Sequence, residues 1–183
     1  MPRLADLALI VTGVAPPSQA GGVCFIQMKD LDPDRRELVR RAAPTAGRAT
    51  PVKRGDVLIP SRGERNLAIR PDAELLGAYP SLDVYLLRPD ELRLDPDYLA
   101  AFLSLPEVGA ALRASTAGAS LPRIPKEALS ELAVPTPPLE RQRAIGGLAA
   151  CAREHSLLAA RLRDAEARLA AAYIASAFPT IEA

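Results

Sequence analysis

The placement of proline constrains this chain more than any other feature. Pro122, Pro125, Pro135, Pro137 and Pro138 crowd one stretch, and then forty residues, 139–178, contain none. Gly118, Pro122 and Pro125 cannot sit inside a regular helix, so the backbone there must turn and run extended. Residues 132–134 read as a short strand, and the three prolines behind it stiffen a polyproline-like connector. The proline-free run that follows reads as one long helix. The sequence therefore predicts an α+β architecture. A compact mixed α/β domain over 1–138 hands over to a long coiled-coil-forming helix over 139–183.

A chain of 183 residues can bury a core of its own, and with seven aromatic residues and no Trp that core must be aliphatic. Cys24 and Cys151 lie far apart without a CxxC spacing, which reads as reduced thiols in a cytoplasmic protein. No apolar run approaches the roughly 18 residues of a membrane span, so no membrane partner is expected. The short apolar run 7–11 follows Arg3, but with Asp6 between them it makes a poor signal peptide. Net charge is +1, which argues against a non-specific nucleic-acid coat. Its distribution is uneven, however. Residues 35–70 hold ten Arg or Lys against three acids, and residues 71–110 hold two against eight. One strongly basic segment in a neutral chain can present a face to an anionic ligand, or it can simply be a solvated surface.

Taken in order, residues 4–11 read as a short helix or strand closing on Thr12 and Gly13, and 23–28 as a strand with apolar residues on both faces. Residues 35–43 are basic and read as helical or irregular. Gly55 and Asp56 mark a turn before a buried strand at 57–60, and 67–69 form its return. That hairpin carries Arg62, Arg65 and Asn66 at its tip. Arg and Asn are the donors that pair with guanine and adenine edges and with phosphate, although any polar tip would look similar. A further strand falls within 79–87. Asp95 is placed to cap a helix with Pro96 in its first turn, and Pro106 opens a second helix to about residue 115. Arg123, between Leu121 and Ile124, is expected to point outward, and one or two helical turns follow from Lys126.

No catalytic constellation emerges. There is no phosphate loop, no GxGxxG and no GxSxG. The single asparagine, Asn66, leaves no Asn-Pro-Pro-aromatic methyltransferase signature. His155 lies in the long helix without a metal-binding cluster. No metal, no cofactor and no enzymatic activity are expected. The long helix instead carries Leu148, Cys151, His155, Leu158, Leu162, Ala165, Leu169 and Ala172 at the 3-4 spacing of a coiled-coil seam, with charges largely off it. Such a stripe either folds back on its own domain or takes a partner helix, another copy or a different chain. His155 on the seam could select the register.

These phrases together resemble one target-recognition half of the specificity subunit of type I restriction-modification systems. The opening Leu4-Ala-Asp-Leu-Ala-Leu-Ile-Val-Thr-Gly13 is similar to the family's first phrase, and Val23-Cys-Phe-Ile-Gln-Met-Lys-Asp30 to its first core strand. Gly55-Asp-Val-Leu-Ile-Pro-Ser-Arg-Gly63 resembles its Gly-Asp-Val-Leu element. The strongest match runs over 94–142, with Asp-Pro-x-Tyr-Leu, a Pro-Glu-Val helix, Gly-x-Ser-hydrophobic-Pro-basic-Ile, and Pro-x-Pro-Pro-Leu-Glu-x-Gln in order.

The resemblance implies a non-catalytic subunit that reads a half-site in double-stranded DNA and docks on a DNA methyltransferase (modification) subunit through its helix. Family members carry two recognition domains and two helices where this sequence carries one of each, so a homodimer of half-subunits is expected. Charge and loop position put Arg62, Arg65, Asn66 and Arg123 near DNA, with Lys53, Arg54 and Lys126 as phosphate neighbours. The seam residues Leu148, His155, Leu158, Leu162 and Leu169 would face the partner helix. The rival expectation is an adaptor or orphan remnant that assembles through its helix without binding DNA.

Overall fold

The computed structural model describes residues 1–45, 47, 49–62, 67–114 and 123–178. By its contacts the chain divides into two compact units, Met1–Gly147 and Leu148–Ala183. The first unit is built on a three-stranded antiparallel sheet in the order β1-β6-β4, with β1 at Ala8–Thr12, β4 at Val57–Pro60 and β6 at Val84–Pro89. A second small sheet, order β3-β2-β5, joins Val39–Arg41 antiparallel and Tyr79–Pro80 parallel to Val23–Ile26.

Successive side chains on a strand point to opposite faces, and here both faces of the β4–β6 part of the first sheet are covered. Ala8, Ile10, Val57, Ile59, Tyr85 and Leu87 join a core with the helices α1 (Pro96–Leu103), α2 (Pro106–Ala114) and α3 (Lys126–Ser130). Leu58, Val84 and Leu86 point the other way. They pack with Ile26, Leu31, Val52, Ile69, Leu75 and Ala78 in a second core. This explains why β4 and most of β6 read as unbroken apolar runs: a strand buried on both faces has no polar alternation.

Three expectations change. The basic stretch 35–43 is neither helical nor irregular throughout, because its residues 39–41 form the edge strand β3. Pairing of Val39 with Phe25 and Arg41 with Val23 supplies the strand order that an arginine-rich sequence does not announce. Residues 132–134 form no strand but a single bridge, Arg3 to Ala133, flanked by Leu4 N–H donating to Leu132 O at 2.8 Å. The return of the 57–60 hairpin is likewise one bridge, Leu58 to Ile69.

Carboxylates close the turns between these elements. Asp30 is fully buried and accepts from Gln27 N–H at 2.7 Å and Glu37 N–H at 2.8 Å. Asp56 accepts from Lys53 N–H at 2.7 Å across a turn in which Gly55 has φ +96°, a conformation that favours glycine. Asp95 caps α1 by accepting from Tyr98 N–H at 2.9 Å.

The helix α4 runs Leu139–Ser176. Its first turns belong to the first unit. Gln142 is buried there, accepting from Asp95 N–H at 2.9 Å and donating to Arg93 O at 3.1 Å and Pro137 O at 2.8 Å. A Cβ on Gly146 would stand 2.6 Å from Tyr98 N, so only glycine lets α4 cross the start of α1 this closely. Tyr98 completes the junction by donating its hydroxyl to Pro135 O at 2.9 Å.

Candidate nucleic-acid interface

The β4–β6 ladder ends in an arginine–aspartate pair at each end, and the chain swaps the partners between them. At one end Asp56, before β4, meets Arg88 of β6. Arg88 Nε and Nη2 donate to the two carboxylate oxygens at 2.7 and 2.8 Å, and Nη2 also reaches Pro51 O at 3.2 Å. The Asp56 hydrogen bond holds the Arg88 guanidinium above its ordinary pKa against the opposing effect of burial. With Asp56 buried, this fork is committed to the fold.

At the other end Arg62, after β4, faces Asp83, before β6, with Nε 3.1 Å from Oδ1 and both side chains more than 40% exposed (42% and 44%). Backbone bonds fix this end: Ser61 N–H donates to Asp83 O at 2.8 Å, and Ile124 N–H to Ser61 O at 2.8 Å. Arg62 and Arg123 are thereby bridged antiparallel. Arg123 does not point outward as expected. Its Nη2 donates to Leu82 O and its guanidinium lies over the Tyr85 ring, 5.7 Å from the centroid, while Tyr85 donates its hydroxyl to Ile124 O at 2.8 Å.

The structure thus brings two of the predicted residues, Arg62 and Arg123, to one place, and adds Asp83, which carried no sequence signal. Arg65 and Asn66 lie outside the described residues, as does Leu121. Lys53 and Arg54 are exposed on the turn at the opposite end of the ladder, roughly 15–20 Å away along the strand. Lys126 is exposed on the first turn of α3 and lines a shallow groove of about 560 Å³ with Asp6, Arg88, Asp90 and Ser130. Lys53 and Arg54 therefore do not join the Arg62 cluster in one patch, whereas Lys126 follows Arg123 by three residues.

In the second unit the seam residues are exposed: Leu148, Leu158, Leu162 and Leu169 each keep more than half their surface (74, 56, 60 and 72%), and His155 is exposed as well. Among the described residues no helix is long and apolar enough to cross a membrane.

A small sheet packed on both sides hands over to a long helix with an exposed apolar stripe, which defines an α+β domain-plus-helix class of fold. The particular fold is that of the S subunit of type I restriction-modification systems. The HsdS subunit from Thermoanaerobacter tengcongensis matches with a TM-score of 0.62 at 22% identity, covering 88% of this chain and 39% of that one. A chain from a study of complex assembly and conformational transition of the type I R-M system matches at 0.65 and 21%, covering 100% and 50%. The S subunit from M. genitalium matches at 0.62 and 15%, covering 94% and 43%. At such identities the likeness is one of fold. The chain spans half the length of these solved proteins or less. No family model and no curated protein matches the sequence.

Proposed function

We propose that this chain is a non-catalytic DNA-recognition subunit of a type I restriction-modification system, equivalent to half of a specificity subunit. Residues 1–138 would read the DNA and residues 139–183 would assemble the complex. The observation that carries the reading is a shared fold over at least 88% of the chain, recognition domain and long helix together. The exposed leucines of α4 support a homodimer, since a C2 pair buries the same stripe from both copies. Two recognition domains would then address two half-sites, and the helix pair would dock on methyltransferase subunits.

Co-purification from the native cell tests this directly. Recovery of a DNA methyltransferase subunit supports the reading, and recovery of the protein with itself alone withdraws the modification role. A second reading, an adaptor that assembles without DNA, is favoured by the net charge of +1. It predicts no salt-dependent shift of duplex DNA, whereas a subunit that neutralises phosphates loses affinity steeply as salt rises.

A further inference from the structure

We propose that Arg62 reads a guanine and that Asp83 is the residue that positions it, with Arg123 holding the turn on which Asp83 sits. The proposal rests on the DNA-recognition reading above and adds a base-specific site to it.

The argument starts from how each arginine at this end is used. Arg123 is spent on the protein, with Nη2 on Leu82 O and its plane over Tyr85. Leu82 O also accepts from Ser61 Oγ at 3.5 Å, so the turn before β6 is tied to both neighbouring segments. Arg62 is different. Asp83 approaches it on Nε, at 3.1 Å, and among the described residues no other acceptor is placed on it. This is an ion pair without the alignment of a hydrogen bond, and it leaves the terminal pair, Nη1 and Nη2, without a hydrogen-bond partner among the described residues. Two parallel N–H donors in that arrangement match O6 and N7 of guanine in the major groove.

The neighbouring charge separates this role from phosphate binding. A carboxylate beside a phosphate-contacting arginine repels the phosphate and weakens the contact. Beside a base-reading arginine it restrains where the guanidinium lies, so less side-chain freedom is lost on binding. The ladder end supplies the rigidity this needs, because Ser61 N–H on Asp83 O holds the two backbones in register at 2.8 Å.

The test is a selection from a pool of randomised duplexes with the full chain, repeated for Arg62→Ala, Arg62→Lys and Asp83→Asn, with melting curves to show that each variant folds. Arg62→Ala is expected to erase the preference for guanine at one position by roughly tenfold or more, leaving other positions unchanged. Arg62→Lys, which keeps the charge but not the fork, should lose most of the same preference. Asp83→Asn should blur that position while off-target affinity holds or rises. A uniform loss across all sequences, with the salt slope reduced by about one, would make Arg62 a phosphate contact and overturn the proposal. Full retention of the preference in Arg62→Lys would overturn it too. If the unaltered protein shows no salt-dependent binding and selects no sequence, the DNA reading itself falls and takes the proposal with it.

Discussion

The two ends of one β-ladder put the same pair of residue types to opposite uses. Asp56 and Arg88 meet through two short bonds around a buried carboxylate that also holds Lys53 N–H. Arg62 and Asp83 meet through a single approach at the surface. Removing one partner from a buried fork strands the other, whereas an exposed pair contributes little to folding. A charge pair that the fold does not need is one that a ligand can use. The long helix repeats the contrast in apolar terms. Its first turns are locked by Gln142 and Gly146, and from Leu148 onward its seam leucines are exposed.

The sharpest way to break the comparison is to remove the two aspartates separately. Asp56→Ala should cost about 3 kcal/mol in denaturant unfolding, from a stranded Arg88 and an orphaned Lys53 N–H. Asp83→Ala should cost at most about 1 kcal/mol. Equal losses would erase the distinction between a committed end and a presented one.

Gln142→Ala should come next, at about 2 kcal/mol, because Asp95 N–H, Arg93 O and Pro137 O all lose a buried partner. Leu162→Glu, on the exposed stripe, should leave unfolding within about 0.5 kcal/mol. Sedimentation should nevertheless show it abolishing self-association, and a still-dimeric variant would count against the seam.

The smallest effect concerns Asp6. The Arg3 backbone N–H and then its guanidinium hold this exposed carboxyl below the ordinary aspartate range. A group depressed in the folded state stabilises above its unfolded pKa and stops doing so as pH falls through the folded one. An NMR titration of the folded protein should place the Asp6 midpoint below that of a free aspartate, and an ordinary midpoint would contradict the pairing.

Much of the frame was legible because it rests on local chemistry. Asp95 and Pro96 announce α1, Pro106 announces α2, Gly55 with Asp56 announces the turn before β4, and the proline-free run announces α4. What escaped depends on partners distant in sequence. The strand at 39–41 exists because β2 lies beside it. Arg123 folds inward because Tyr85, 38 positions earlier, offers a ring face, and Leu82 offers a carbonyl. Gln142 closed a matching phrase, but its buried place was not readable, since its three partners come from 93–95 and the connector. Asp83 had no local signature at all. Its meaning comes from lying beside Arg62 just past the end of a ladder.

The lock at Gln142 and Gly146 also bears on how so long a helix forms. Starting a helix is its costly step, a statistical factor of about 10⁻³ for fixing the first turn before its hydrogen bonds repay the lost freedom. Here that turn is assembled as part of the folded domain, on Asp95, Arg93 and Tyr98. The remaining residues of α4 need only propagate from a seeded end. The domain thus acts as a nucleation template, and the long helix inherits its starting point and phase from it.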